Sequence, residues 1–272
     1  MTVTRRDFLR SATAISVGAL AGVGAYGVAY ERHRIELLAR DLTVRGLPPA
    51  LDGLRVGMLT DVHHSAVVPA GDVSFAVNLL KQAAPDMVVL GGDYVSFFDR
   101  GYIGPVAELL SPLADSPHGA FAVLGNHDDE REVPAALTSR GFTVLKDQRT
   151  SITIKGERLD VAGIRFWTRT PGEIASVLKG TGGTTLLLAH DPRSLVEAAA
   201  LDVQLVLSGH THGGQVLLPG VGAVAGRKFP VLAGAATRDN TTIFVSRGVG
   251  TVYLPIRLNC PPDVALLTLR SA

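Results

Sequence analysis

The chain has 272 residues, of which 46% are hydrophobic and 19% charged, with a formal net charge of +1. This supplies a sizeable core and excludes a disordered chain. The charge balance argues against a broad nucleic-acid surface, so no nucleic acid is expected as a partner, although a small anion pocket remains open. The single cysteine, Cys260, excludes an intrachain disulfide.

The chain begins with an address. Thr4-Arg5-Arg6-Asp7-Phe8-Leu9-Arg10 matches the twin-arginine signal pattern, and an uncharged, Ala- and Gly-rich stretch over residues 11–30 follows. A basic region followed by a mildly apolar one predicts an export signal over residues 1–30 rather than part of the fold. The stretch is about long enough to span a bilayer, but its glycines make it a poor helix. Val23-Gly24-Ala25 and Gly27-Val28-Ala29 offer small residues for cleavage, and a retained signal would tether the domain to a membrane. The expected location is the periplasm, the cell wall or the outer face of the cytoplasmic membrane, with the twin-arginine export machinery as a partner.

Residues 31–50 read as a lead-in with an edge strand near 35–44. From residue 51 to 272 a single domain is expected. Strand-like runs fall at 54–60, 87–90 and 120–124. Between them, Asp72 is placed to cap a helix whose Val73, Ala76, Val77 and Leu80 share a face, and Val106, Leu109, Leu110 and Leu113 mark a second helix. Residues 151–154 and 159–163 predict a hairpin around Gly156. Further strands are expected at 184–189, 203–207, 243–246 and 264–269, with Pro192 opening a helix. Helices alternating with buried strands predict covered sheets, and the hairpin predicts mixed pairing.

Five short motifs follow in order: Asp61-Val62-His63, Gly92-Asp93, Gly125-Asn126-His127-Asp128, the lone His190, and Gly209-His210-Thr211-His212. Each is weak alone. Each also sits where an apolar run ends, so all five can meet at one edge of the sheets, where ligands bind in open α/β folds. His, Asp and Asn offer nitrogen and oxygen ligands suited to Mn, Fe or Zn, and without cysteine this is no structural zinc site. Two carboxylates facing two divalent ions leave a net positive site that attracts phosphate. Two ions about 3.5–4 Å apart can clamp both oxygens of an in-line displacement.

This motif order resembles that of the calcineurin-like metallophosphoesterases from about residue 51 to the C-terminus. The strings Ser208-Gly-His-Thr-His-Gly-Gly-Gln215, Ser246-Arg-Gly-Val-Gly-Thr251 and Pro255-Ile-Arg-Leu-Asn-Cys-Pro-Pro-Asp263 resemble its twin-arginine-exported or membrane-linked bacterial branch. The resemblance implies a four-layer α/β/β/α sandwich with two mixed sheets. It implies two divalent metal ions, one held by Asp61, His63 and His212, the other by Asn126, His190 and His210, with Asp93 bridging. It implies in-line attack by a metal-bridging hydroxide on a phosphoester or pyrophosphate, with His127 protonating the leaving oxygen. A lipid-linked or sugar-nucleotide substrate fits the expected location, and the resemblance adds a UDP-2,3-diacylglucosamine-like pyrophosphate as one form of it.

One position departs from the pattern. Where the phosphoprotein phosphatases carry an Asp that orients the acid histidine, this chain has Ser96, which puts the partner of His127 in doubt. His64 reads as an exposed strand-end residue in preference to a substrate contact, and Asp128 as either a tuner of His127 or a solvated side chain. Because the expected ligands and His127 are all present, a hydrolase is favoured over a binding module that has lost catalysis.

Overall fold

The computed structural model describes residues 4–272; residues 1–3, the start of the predicted export signal, lie outside the described residues. One sheet contains β1 (Glu36–Val44), β2 (Arg55–Leu59), β3 (Met87–Leu90), β4 (Ala120–Ala122), β5 (Thr143–Val144) and the C-terminal strand β14 (Asp263–Ser271), in the order β1-β14-β2-β3-β4-β5. A second contains β6 (Gln148–Ile154), β7 (Glu157–Ile164), β8 (Thr184–Ala189), β9 (Leu205–Ser208), β12 (Gly234–Arg238) and β13 (Thr241–Val245), in the order β12-β13-β9-β8-β7-β6. A small hairpin, β10 (Leu217–Leu218) with β11 (Gly222–Ala223), stands apart. Both large sheets are mixed: β2, β3, β4 and β5 run parallel while β14 runs antiparallel to β2. In the second sheet β7, β8, β9 and β13 run parallel, and β6 and β12 flank them antiparallel.

The alternation of side chains along each strand produces the layers. In β3, Met87 and Val89 face the second sheet and pack with Leu186, Leu188, Leu205 and Leu207. Val88 and Leu90 face outward, against α2 (Ala70–Gln82), α3 (Ile103–Leu110) and α4 (Glu132–Thr138). On the far side, Leu187, Val206 and Ile243 meet α5 (Pro171–Leu178) and α6 (Leu195–Ala200). Helices, sheet, sheet and helices make the expected α/β/β/α sandwich. Truncating one of these buried leucines to alanine typically costs about 2–5 kcal/mol.

Local differences have local causes. The α2 helix starts before Asp72, at Ala70 after Pro69, and no side chain caps it. Asp72 instead sits in the first turn and pairs with His33 Nδ1 at 2.6 Å. The α5 helix is additional to the expected elements, although its start is written in the sequence: Thr170 and Glu173 form a reciprocal capping box around Pro171.

The N-terminal segment is helical as α1 (Arg5–Ala29), and among the described residues no helix is long and apolar enough to cross a membrane. Its last turn packs onto the domain. The Gly27 carbonyl accepts from the Arg257 N–H at 3.2 Å, and a Cβ at Gly27 would lie 2.6 Å from the Arg257 oxygen. Just beyond, the buried Glu31 accepts from the Cys260 N–H at 2.6 Å.

Candidate active site

Parallel strands point their C-terminal ends the same way, and the motif residues follow those ends. Asp61 follows β2, Asp93 follows β3, Asn126 and His127 follow β4, His190 follows β8, and His210 and His212 follow β9. The seam between the two sheets therefore gathers side chains that lie far apart in sequence, Asp61 and His212 among them.

Two clusters result: Asp61 with His63 and His212, and Asp93 with His190 and His210. In the first, the Nε2 atoms of His63 and His212 stand 3.2 Å apart, and His212 Nε2 is 3.4 Å from Asp61 Oδ1. In the second, His190 Nε2 is 3.2 Å from both Asp93 Oδ2 and His210 Nδ1. Asp93 Oδ2 is also 3.5 Å from His63 Nε2, so this oxygen lies between the clusters. Asn126 Oδ1 is buried with no hydrogen-bond partner. Ring nitrogens and carboxylate oxygens converging at such distances need protons or cations among them. The donor set fits two divalent ions.

The protonation states of His63, His210 and His212 agree. Burial pushes His63 down to about 4 and His210 down to about 3, while burial and the neighbouring His63 hold His212 well below the ordinary range. These rings stay neutral, as metal ligands must. Burial also opposes protonation of His190, but Asp93 and Asp61 overcome it and lift the ring to about 10. Its Nδ1 donates to the Gly91 carbonyl at 2.7 Å, so the second proton falls on Nε2, the nitrogen that faces Asp93 Oδ2 and that would give up this proton to hold a metal. Burial raises Asp61 to about 6, whereas Asp93, though equally buried, is held low by His190 and His63.

The backbone is bent to bring these groups in. Asp61, His63, Asp93, His210 and His212 all adopt left-handed φ angles, between 49° and 71°. Side chains rarely take that conformation, and in a native structure it clusters at functional sites. Two motif glycines make room for the carboxylates. A Cβ at Gly125 would fall 2.0 Å from Asp93 Oδ1, and one at Gly209 would fall 2.1 Å from Asp61 Oδ2.

His127 stands beside the clusters, its ring 5.1 Å from that of His63. Its Nδ1 accepts the Phe97 N–H at 3.1 Å, which leaves Nε2 to carry the ring proton. The partner of His127 is thus a backbone amide. Ser96 lies instead by His63, with Oγ 3.3 Å from the His63 carbonyl. Asp128 is neither a tuner of His127 nor solvated: it is buried and accepts from the N–H groups of Asp93 and Tyr94 at 2.8 Å and of Gly125 at 2.9 Å, clamping two motif loops together. His64 is buried rather than exposed, with Nδ1 2.9 Å from the Val68 carbonyl.

Sequence reasoning missed Arg257. It is fully buried, with no ion-paired carboxylate among the described residues. Its guanidinium donates to the carbonyls of Gly250, Arg247 and Gly248 at 2.5, 2.8 and 3.0 Å, and more weakly to that of His212 at 3.4 Å. The signals were its place in the resemblance-bearing string 255–263 and its being an arginine inside the otherwise uncharged run Pro255-Ile-Arg-Leu-Asn-Cys260.

A sandwich with paired carboxylate–imidazole clusters at its strand ends defines a metal-binding hydrolase. The calcineurin-like phosphoesterase family matches residues 54–214. The phosphodiesterase YaeI of Escherichia coli (strain K12) is 32% identical over 98% of this chain and 99% of its own. The metallophosphoesterase YkuE of Bacillus subtilis (strain 168) is 28% identical over 99% of this chain and 98% of its own. Among solved structures, TT1561 of Thermus thermophilus covers 72% of this chain and 89% of its own with a TM-score of 0.51 at 11% identity, a likeness of fold. The chain belongs to the calcineurin-like phosphoesterase family and is a metal-dependent phosphoric ester hydrolase.

The clamp makes a prediction. Asp128→Ala strips the acceptor from three buried N–H groups, at a cost of at least about 3 kcal/mol. For a domain this size that is a fall of roughly 6–12 °C in Tm. Metal content should drop with it, because the Asp93 backbone loses its anchor. Calorimetry and metal analysis of the same sample test this, and wild-type values for both would refute the clamp.

Proposed function

We propose that this protein is a dinuclear metallophosphoesterase that cleaves a phosphoester or pyrophosphate bond by in-line displacement, outside the cytoplasm or at the membrane. The observation that carries this reading is Asp93 Oδ2, set between His63 and His190, together with the buried, unpartnered Asn126 Oδ1. Asp61, His63 and His212 would hold one ion, Asn126, His190 and His210 the other, and Asp93 would serve both. When bound, the ions supply Lewis-acid charge to a phosphoryl group and acidify water.

The chain's own residues do the rest. The clamped loops fix where phosphorus can sit, which converts binding into orientation. The His127 ring is held in one tautomer by the Phe97 amide, with its Nε2 proton available to a departing oxygen. Location rests on the Arg5-Arg6 pattern. A lipid-linked or sugar-nucleotide substrate, such as a UDP-2,3-diacylglucosamine-like pyrophosphate, suits that setting.

Release of nitrophenol from bis(p-nitrophenyl) phosphate should depend on added divalent metal, and an equal rate after chelation would end the metalloenzyme reading. His127→Gln should keep its metal. It should lose about 10²–10⁴-fold on an alkyl ester, whose leaving oxygen needs a proton, and much less on a nitrophenyl ester. A uniform loss across leaving groups would remove His127 from proton transfer.

Changing Arg5 and Arg6 together to Lys should stop export while the purified domain stays active, because the export receptor reads the arginine pair as an address. Cell fractionation gives the answer. A double variant exported as well as wild type would exclude the twin-arginine route.

A further inference from the structure

The surface beside His127 carries aromatic side chains that neither the fold nor the metal clusters need. Phe97 is 57% exposed, Tyr253 78% and Leu254 65%. Phe97, Phe98 and Tyr253 all hold left-handed backbone, with φ of 52°, 61° and 61°, which bulky side chains rarely adopt. A fold that presents large apolar groups to water on unfavourable backbone is serving something other than its core.

Both stretches are tied to the metal site. The Phe97 N–H donates to His127 Nδ1 at 3.1 Å, and the Phe98 N–H donates to the His127 carbonyl at 2.9 Å. On the other side Gln215, which follows the His212 motif, accepts from the Val252 N–H at 2.7 Å through Oε1. The Phe97 ring stands 4.9 Å from the His127 ring and 5.7 Å from that of Tyr253. The rim is therefore tied to the loops that carry His127 and His212.

Behind this rim lies a cavity of about 450 Å³, walled by Val67, Phe97, Tyr102, Tyr253, Leu254 and Pro255. That is within the range of about 300–1,000 Å³ found for pockets that hold small organic ligands. Most polar groups in its wall already have partners, the exception being the buried Thr251 Oγ1, which has none. Ser65 Oγ donates to the His63 carbonyl at 3.0 Å, Ser96 Oγ to the same carbonyl at 3.3 Å, and Asp99 Oδ1 accepts from the Gly101 N–H at 3.0 Å. What is left for a ligand is mainly apolar surface with the single Thr251 hydroxyl, and the Phe97 ring, which abuts His127, joins it to the metal site.

We infer that this cavity is the subsite for an aliphatic chain carried by the substrate's phosphoester, held by Val67, Phe97, Tyr253 and Leu254 while the phosphate lies in the metal cleft. The inference rests on the phosphoesterase reading above and narrows its substrate class to phosphoesters bearing an apolar chain.

The test compares octylphosphonate with methylphosphonate, neither of which can be hydrolysed at a P–O ester. Binding to the manganese-loaded full chain is measured by calorimetry, below the octyl compound's micellar concentration. The octyl compound should bind at least about tenfold tighter, because buried methylene groups favour it. Leu254→Asp and Val67→Asp, both at exposed positions that the fold does not need, should each remove most of that preference. Equal binding of the two phosphonates by wild type overturns the subsite, as does a preference that survives both substitutions. Association with phosphatidylcholine vesicles without any octyl preference also overturns it, and assigns the rim to a bilayer. Turnover of methyl p-nitrophenyl phosphate by the same sample judges the catalytic reading separately. Turnover without an octyl preference sinks the subsite alone, and an octyl preference without turnover sinks the catalytic reading alone.

Discussion

The seam between the two sheets contains more electron-pair donors than the protein can satisfy by itself. His63 and His212 turn ring nitrogens toward each other at 3.2 Å, His190 and His210 do the same, and Asp93 Oδ2 faces both pairs. Asn126 Oδ1 has no partner. A buried polar group left unpaired costs about 1–3 kcal/mol, and a buried charge costs more. Divalent cations turn this repulsion into coordination. In their absence the proton that Asp93 and Asp61 fix on His190 neutralises only part of it.

Much of the surrounding structure holds these donors against one another. The left-handed backbone at Asp61, His63, Asp93, His210 and His212 costs about 1–3 kcal/mol per residue. Asp128 restrains it from the first sheet's side by gripping the loops after β3 and β4. Arg257 restrains it from the other, drawing the carbonyls of residues 247–250 around one buried guanidinium behind His212. Neither residue is in either metal cluster, yet each supports the loops from which those ligands project. The apolar layers on both sides of each sheet supply the stability that offsets this strain.

Much of this is legible in the sequence because strand ends and motif residues coincide. Apolar runs at 54–60, 87–90, 184–189 and 203–207 each end within a few residues of a ligand, so alternation and motif order locate the strands and the site together. What escapes are groups whose role is set by partners distant in sequence. Asp128 resembles any polar loop residue until three amides are seen to converge on it. His64 reads as exposed because it follows a strand end, but the chain folds Val68 back over it. Arg257 lies in the string 255–263 that carries the resemblance, but nothing in that string shows that its side chain is buried behind His212. The edge strands β5 and β12 are too short or too polar to declare themselves, with Thr143–Val144 at one extreme and Gly234–Arg238 at the other. The capping box at Thr170 is different, since its Thr-x-x-Glu spacing is readable from the sequence alone.

The origin of the ligands also bears on how the chain reaches its native state. The His210 N–H bonds to the Asp61 carboxylate across 149 positions, and neither cluster can be assembled from one half of the chain. His212 arrives with the second sheet to meet Asp61 and His63 from the first, while Asp93 waits for His190 and His210. Such long-range closure is slow, because the entropy of bringing distant segments together is spent before any contact repays it. A metal ion finds no complete set of donors until the two sheets have docked, so its binding energy rewards only the finished topology and none of the partly folded states before it. Metal uptake by these clusters would therefore come late in folding, once the two sheets have met.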